Sequence, residues 1–137
     1  MDNWSCRNSE VNKFYAEGMS MFAGIHHSLS GLAAAQNRIN TAAHNIANAH
    51  TPEFKKSRAI FEESTGGGVQ VSLGSENTPG PVVLQETEEE LIAQEFSNVN
   101  LEEELVNLLL GQRSFEVNVR AIEVQDDALG SLLDIHE

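Results

Sequence analysis

Two stretches of apolar residues, each repeating in alternating steps of three and four, constrain the fold of this chain most strongly. This spacing places side chains on one face of a helix that packs lengthwise against another helix. The first stretch, here called the N-terminal seam, consists of Phe22, Ile25, Leu29, Leu32, Gln36, Ile39, Ala43 and Ile46. The second, the C-terminal seam, consists of Leu101, Leu105, Leu108, Gln112, Phe115, Val119, Ile122, Asp126, Leu129 and Leu133.

Residues that favour helix ends bound both seams. Ser20 is suited to cap the first helix, because its hydroxyl can accept from an unpaired backbone N–H. Asn48 can adopt the left-handed conformation that closes a helix, and Pro52 prevents the residue before it from staying helical. Asn100 followed by Glu103 resembles a capping box at the start of the second helix.

We therefore predict long helices over residues 21–48 and 101–134. Each helix must bury an apolar stripe, and the other helix is the obvious partner. The predicted fold is mainly α: two long terminal heptad helices packed as an antiparallel hairpin or coiled coil, with a short irregular insert between them.

The insert carries strand and turn signals. Gly66–Gly68 and Thr78–Pro81 are typical of turns. Residues 69–73 alternate apolar and polar side chains, and residues 82–84 are apolar, so we predict that they form a short β-hairpin. The acidic stretch 86–95 is predicted to be a loop or a short helical turn.

The predicted organisation therefore has four parts. Residues 1–18 lack a sustained period and are predicted to be a disordered tail. The first helix occupies residues 19–50, the insert residues 51–99, and the second helix residues 100–137. Because ordered patterning begins directly after Met19 and Met21, we expect translation to begin at one of these methionines.

Both helices carry more apolar or small surface than one hairpin can bury. Leu108, Leu109 and Leu110 are consecutive and point to different sides of the second helix. The first helix has a second line of small residues that lets backbones approach closely: Gly24, Ser28, Gly31, Ala35 and Ala42. Apolar faces left uncovered on a thin hairpin indicate an oligomeric partner.

Composition excludes several partners. A net charge of −13 argues against nucleic acid, which is bound by clusters of Lys and Arg, and against an anionic membrane surface. No apolar run is long enough for membrane insertion. Cys6 is the single cysteine, which excludes an intramolecular disulfide, and no cleaved signal peptide is recognisable at the start.

No constellation of catalytic residues is present, so we predict that the chain is not an enzyme and has no catalytic, cofactor or metal site. The histidines lack the spacing and companion ligands of a zinc site. Gly66–Gly68 lacks the Lys-Ser/Thr of a phosphate-binding loop. Gln36, Gln112 and Asp126 interrupt the seams; they could fix helix register or contact a neighbouring subunit, and the sequence leaves both interpretations open.

Both ends of the chain resemble one family, the axial proteins of the bacterial flagellum. Residues 28–32, with Gln36, Arg38, Ile39, 45–48 and 54–55, resemble the N-terminal signature of that family. Residues 97–108, 112–115 and 129–133, with Asn118, resemble its C-terminal signature. The resemblance implies a pair of terminal helices that form the inner layer of a tube. The short insert implies a small member similar to proximal-rod subunits of the basal body.

By this resemblance the chain is expected to be a structural subunit that polymerises through its terminal helices into the rod. Its expected partners are copies of itself, other flagellar rod proteins and the flagellar type III export apparatus. Its expected location is the basal-body rod that crosses the periplasm or cell wall. The alternative is a stand-alone α-hairpin adaptor derived from the rod family, which would bind one soluble partner.

Two sets of residues are expected to carry this function. The helix-seam and assembly residues are Leu29, Leu32, Gln36, Ile39, Ile46, Leu105, Leu108, Gln112, Phe115, Val119, Ile122 and Leu129. The family-signature residues are Ser28, Gly31, Asn45, Asn48, Asn98, Asn107 and Asn118.

Overall fold

The described part of the chain consists of two long helices and a small insert with four strands. A computed structural model describes the backbone of residues 3–86 and 91–134 and the side chains of residues 22–86 and 92–131. The elements in chain order are α1 (Asn3–Ala47), β1 (Ser57–Glu63), β2 (Val69–Ser75), β3 (Val82–Glu86), β4 (Leu91–Glu95) and α2 (Leu101–Asp134). None of the helices in the described ranges is long and apolar enough to cross a membrane.

Helix α2 begins where the sequence predicts. The Asn100 side-chain oxygen accepts from the backbone N–H groups of Glu102 at 3.0 Å and Glu103 at 3.5 Å. These bonds satisfy donors that have no partner inside the helix. The Glu103 carboxylate bonds Lys56 at 2.9 Å instead of returning to Asn100. Asn100 is therefore an N-cap, and Glu103 links the helix to the insert.

Helix α1 begins much earlier than predicted. It starts at Asn3, so Ser20 lies inside the helix and most of the segment predicted as a disordered tail, 1–18, has helical backbone. Residues 3–17 contain neither glycine nor proline, so nothing in them breaks a helix. A heptad period reports how side chains pack and not the conformation of the backbone, so its absence does not predict disorder. The side chains of residues 1–21 lie outside the described residues.

The end of α1 also differs in detail from the prediction. Asn48 does not take the left-handed conformation; the non-glycine residue with positive φ in the described chain is Glu53, at 59°. The Asn48 side chain instead donates to the carbonyl oxygen of His44 at 2.9 Å. The same carbonyl oxygen also accepts from the backbone N–H of Asn48 at 3.2 Å, so the side chain adds a second hydrogen bond at the end of the helix.

The strands form two antiparallel hairpins rather than one. β1 pairs with β2 from Ser57↔Ser75 to Glu63↔Val69, and β3 pairs with β4. The predicted pairing of residues 69–73 with 82–84 is wrong, because these segments belong to different hairpins. Residues 91–95, predicted to be loop or helical turn, form β4. Strand β1 is rich in charged and polar residues, and β4 directly follows an acidic run, so neither shows the clear alternation expected of a strand.

The two helices contact each other through small residues. Ala35 and Ala42 are buried. The backbone of Gly31 faces the side chain of Asn118, and Gly111 faces Ile39. Helix axes approach most closely where the side chains at the contact are small. The small-residue line of α1 is therefore the contact line between the helices.

The leucine-rich seams form only part of the contact between the helices, whereas the prediction was that they form all of it. Leu29 is 53% exposed and Leu105 is 54% exposed. Leu101 and Phe115 are also exposed, as are Gln36 and Gln112. The half-buried seam positions are Ile25, Leu32, Ile39, Ile46, Leu108, Val119, Ile122 and Leu129. Periodicity alone cannot distinguish a stripe that packs within one chain from a stripe left for a neighbour.

Replacing Gly111 by alanine is expected to destabilise the protein. The added Cβ would lie 2.7 Å from Cγ1 of Ile39 and 3.4 Å from the carbonyl oxygen of Ala35. Such overpacking costs about 1–3 kcal/mol, which outweighs the gain of up to about 1 kcal/mol from replacing a helical glycine. Urea unfolding measures the difference.

Gly130→Ala is the matched control on the same helix. Among the described residues, a Cβ at Gly130 meets nothing within 4 Å, so the gain in helix propensity is the expected effect. We expect Gly130→Ala to raise the free energy of unfolding and Gly111→Ala to lower it. Equal stabilisation by both would show that α1 does not approach Gly111 closely.

Candidate assembly interface and polar junction

A fully buried asparagine joins α1 to the insert and to α2. Asn45 lies in the last turn of α1 and is 0% exposed. Its side-chain oxygen accepts from the backbone N–H of Ser57 at 2.9 Å, and its amide donates to the Ser57 carbonyl at 2.8 Å. The amide also donates to the Glu104 carboxylate at 3.1 Å. One side chain therefore fixes the start of β1 against both helices.

A second asparagine closes the insert from its other end. The Asn98 side-chain oxygen accepts from the backbone N–H of Lys56 at 2.7 Å. Its amide donates to the carbonyl oxygens of Glu76 at 2.7 Å and Thr78 at 3.0 Å. Two segments of the insert, one at Lys56 and one at residues 76–78, thus meet at Asn98, just before α2. We call the cluster formed by Asn45, Ser57, Lys56, Asn98 and Glu104 the polar junction.

Two lysines in the insert carry ion pairs at this junction. Lys56 lies 2.9 Å from the Glu103 carboxylate and 3.5 Å from that of Glu76. The hydrogen bond to Glu103 raises the pKa of Lys56 despite partial burial. Lys55 bonds the Glu95 carboxylate, which also accepts from the Gly80 N–H at 2.7 Å. The bond from Lys55, followed by that from Gly80, lowers the pKa of Glu95.

Glu104 is the one carboxylate in the described residues that is buried. It is 4% exposed, and desolvation raises the pKa of its carboxyl group. The hydrogen bond from Asn45 opposes this rise, while the neighbouring charge of Glu103 adds to it. Burial favours the neutral acid, because the charged form loses its hydration.

Glu104→Gln is expected to alter how stability depends on pH. Because the pKa of Glu104 is raised in the folded state, its carboxyl group ionises at a lower pH in the unfolded chain than in the folded chain. The wild type therefore loses stability as pH rises from the ordinary carboxyl range through the raised pKa. Glutamine stays neutral and can still accept from Asn45. We expect the variant to lack this loss and to be at least as stable as wild type at neutral pH.

Urea unfolding at a series of pH values measures this effect. The lowered pKa of Glu95 acts in the opposite direction, since its stabilisation is lost as pH falls through its folded value. Comparing variant with wild type cancels that contribution. Glu102→Gln, at an exposed position in the same first turn, is the control. If the stability of Glu104→Gln depended on pH in the same way as that of wild type, the raised pKa of the buried Glu104 carboxyl group would be contradicted.

The β1–β2 hairpin lies along one side of α1. Its turn approaches Ser30, whose hydroxyl accepts from the Val69 N–H at 3.1 Å. The Arg38 guanidinium lies 4.7 Å from the ring centroid of Phe61, within the range of a cation–π contact. In the described chain, the contacts that strands make with helices involve α1, β1 and β2. The hairpin leaves the side of α1 that carries Leu29 uncovered.

The two sets of predicted residues therefore occupy different places. The family-signature residues are inside: Ser28 and Asn45 are buried, and Gly31, Asn48, Asn98, Asn107 and Asn118 are half-buried. Among them, Asn45 and Asn98 join the insert to the helices through hydrogen bonds, and Ser28 and Gly31 lie at the contact between the two helices. The most exposed large seam residues are Phe22, Leu29, Leu101, Leu105 and Phe115. These form the candidate assembly surface.

Sequence reasoning missed three members of the polar junction, Lys56, Ser57 and Glu104. The helix dipole favours all three glutamates from Glu102 to Glu104 at the start of a helix, so nothing in the sequence distinguishes Glu104, and Lys56 and Ser57 belong to no recognisable pattern. No group of three His, Cys, Asp or Glu side chains suited to a metal ion occurs within the described residues.

Comparison with protein families gives matches at both ends of the chain. Residues 25–55 match the family of flagella basal body rod proteins. Residues 93–135 match the C-terminal family of flagellar basal body rod FlgEFG proteins. The first match contains Asn45 and the second contains Asn98 and Glu104. The matched segments thus meet at the polar junction.

Individual relatives match over shorter parts of their length. The flagellar basal-body rod protein FlgG of Borreliella burgdorferi is 31% identical over 71 residues, which is 52% of this chain and 24% of that protein. The flagellar hook protein FlgE of Escherichia coli is 42% identical over 43 residues, 31% of this chain and 11% of that protein. FlgE of Salmonella typhimurium gives the same values. The matches span a quarter or less of these relatives.

Proposed function

The chain belongs to the family of flagellar rod and hook axial proteins, and from that premise we propose that it is a structural subunit of the bacterial flagellar basal-body rod. Members of this family are structural and non-enzymatic, in agreement with the prediction from sequence. The subunit polymerises through its terminal helices into the tube that serves as drive shaft. The observation that carries this proposal is the exposure of the leucine-rich seams on both helices.

The proposed subunit is an antiparallel two-helix hairpin. The order of contacts supports this: along α1 from Gly24 to Gly31 to Asn45, the facing residues on α2 are Gln125, Asn118 and Glu104. The numbering rises along one helix and falls along the other. The hairpin is expected to be marginal in isolation, because its described core is formed by small residues.

Both seams are expected to lie on one side of this hairpin. On α1, Leu29 follows the contact-line residue Ser28 by one position; on α2, Leu105 follows Glu104 in the same way. One residue turns a helix by about 100°. The same offset on two helices that run in opposite directions turns both seams toward the same face. The β1–β2 hairpin lies along the other side of α1, so one broad apolar face is left for a neighbouring subunit.

We propose a small proximal-rod-like member on the basis of its short insert, which holds two small hairpins. Its proposed partners are copies of itself and other flagellar rod proteins, with the flagellar type III export apparatus delivering the chain. The proposed location is the rod of the basal body. Apolar surface of this extent on a monomer indicates a binding surface, and covering it stabilises the folded state by mass action.

Sedimentation velocity of the purified chain over a concentration series tests this proposal. A rod subunit is expected to associate as concentration rises, with helical content by circular dichroism rising in parallel. The α-hairpin adaptor is expected to stay a folded monomer throughout. A monomer with full helical content and slow amide exchange at all concentrations would contradict the polymerising subunit.

A further inference from the structure

We infer that Asn118 and Gln125 of α2 select the register in which the two helices align, by fitting against glycines on α1. A Cβ added at Gly31 would lie 2.5 Å from the side-chain oxygen of Asn118. One heptad away, a Cβ at Gly24 would lie 3.3 Å from the side-chain nitrogen of Gln125. Gln125 also donates to the Ser28 hydroxyl at 3.4 Å. Two polar side chains of α2 thus occupy space that two glycines of α1 leave free.

Further along the helices, contacts recur at the same heptad spacing, but the residue types that meet are different. Gly111, one heptad before Asn118, supplies the glycine on α2 and faces Ala35 and Ile39. Glu104, one heptad before Gly111, bonds Asn45 at 3.1 Å. We call each of these four contacts, which follow one another at intervals of one heptad, a level. The four levels differ from one another. Each level pairs a particular side chain with a particular space or hydrogen-bond partner.

The leucine seams cannot make this selection. Both seams repeat every seven residues, so displacing one helix by a heptad again places apolar residues beside apolar residues. On the contact line, in contrast, such a displacement would give each residue a different partner from the one that it faces now. In one direction Asn118 would meet Arg38, where no glycine makes room. In the other, Gly31 would meet Gly111, which leaves a gap, and Glu104 would exchange Asn45 for Arg38.

Asn118 and Gln125 are therefore positioning residues that set the alignment of α1 with α2. Polar groups at single positions of a helix pair commonly specify register at some cost in stability. Here the consequence is that the two exposed seams lie at a fixed height relative to each other. The inference rests on the proposed antiparallel pairing but not on polymerisation.

Spin labels on the full chain measure the register directly. Labels attached at Asn40→Cys and Glu123→Cys, both exposed positions, in a Cys6→Ser background report the offset between the helices. Distances are measured by double electron–electron resonance, with trimethylamine N-oxide present to favour the folded state. We expect one distance for the chain with intact contacts. The double variant Asn118→Ala with Gln125→Ala is expected to show a second population, offset by about 10 Å along the axis, which is one heptad.

The control is Arg113→Ala with Asp127→Ala, two exposed polar residues of the same helix. It is expected to keep the single distance, and circular dichroism should match wild type in both double variants because alanine favours helix. An unchanged single distance in the Asn118/Gln125 variant, or equal broadening in the control, would overturn the inference. If that variant shows no defined distance, the exchange Gly31→Asn with Asn118→Gly decides. Recovery of one distance supports the inference, and failure to recover it counts against it.

Because the measurement is made on a single chain, its outcome is separate from that of the proposed function. If the chain keeps one register but never associates, the register inference stands and the rod-subunit proposal is contradicted. If the chain associates but populates several registers, the rod-subunit proposal stands and the register inference is contradicted.

Discussion

Replacing Asn45 by alanine is expected to lower the free energy of unfolding by about 2–4 kcal/mol. The substitution leaves the Ser57 N–H and carbonyl without their side-chain partner, and an unsatisfied buried polar group costs about 1–3 kcal/mol. It also removes the hydrogen bond to the buried Glu104 carboxylate. Urea unfolding of the purified variant under conditions in which wild type is folded measures the loss.

Asn48→Ala is the matched control for this prediction. Asn48 has the same side chain and lies three positions later, but its amide bonds the His44 carbonyl at the end of its own helix. Losing such a bond is expected to cost about 1 kcal/mol or less. If Asn45→Ala were no more destabilising than Asn48→Ala, the polar junction would not hold the insert to the helices.

Replacing Leu29 and Leu105 together by glutamine is expected to weaken association strongly while sparing the fold of the single chain. Both side chains are more than half exposed, so little burial is lost in the monomer. Glutamine has a helix propensity close to that of leucine. In the polymer each leucine is expected to be buried, and full burial is worth about 1.5–3 kcal/mol per side chain.

Because each leucine is already about half buried in the monomer, the expected loss for the pair is about 1.5–3 kcal/mol, which corresponds to a drop of about tenfold to a hundredfold in the association constant. Sedimentation velocity measures it, and circular dichroism checks that helical content is retained. Leu84→Gln is the control, because Leu84 is 68% exposed on β3 and away from the helical face. Association that is equally sensitive to Leu84→Gln, or insensitive to the double change, would contradict the seams as the assembly surface.

Periodicity was sufficient to predict two long helices but not which face of each helix meets the other. A heptad of large apolar residues such as Leu29 and Leu105 is required equally by a contact inside one chain and by a contact between chains. The small-residue line through Gly31 and Ala35 was visible in the sequence. Whether this line or the seam forms the contact between the helices depends on how closely the two backbones approach each other. The spacing of residues in the sequence does not give that distance.

The insert shows a similar division between local and long-range information. The alternation in residues 69–73 identified a strand, because strand propensity is local. Its pairing with Ser57–Glu63 was not predictable from that pattern, since a hairpin partner can lie on either side in sequence. The glycines at 67 and 68, with φ of 81° and 86°, mark the turn that settles the choice.

The polar junction was predictable in part. Asn45 and Asn98 were identified through the family resemblance, and both make several hydrogen bonds. Glu104 was not, because three consecutive glutamates at the start of a helix are all favoured by the helix dipole. Which of the three is buried depends on where Asn45 lies, and that position is set by the packing of α1 on α2.

The central claim is that this chain is a building block of the flagellar rod, and purified basal bodies test it most directly. Quantitative mass spectrometry of basal bodies isolated from cells that express the chain should detect it in fixed ratio to other rod subunits. The Leu29→Gln, Leu105→Gln variant should be depleted from the same preparation while still present in cells. Absence of the wild-type chain from intact basal bodies, with the folded chain recovered as a monomer, would contradict the account and favour the adaptor.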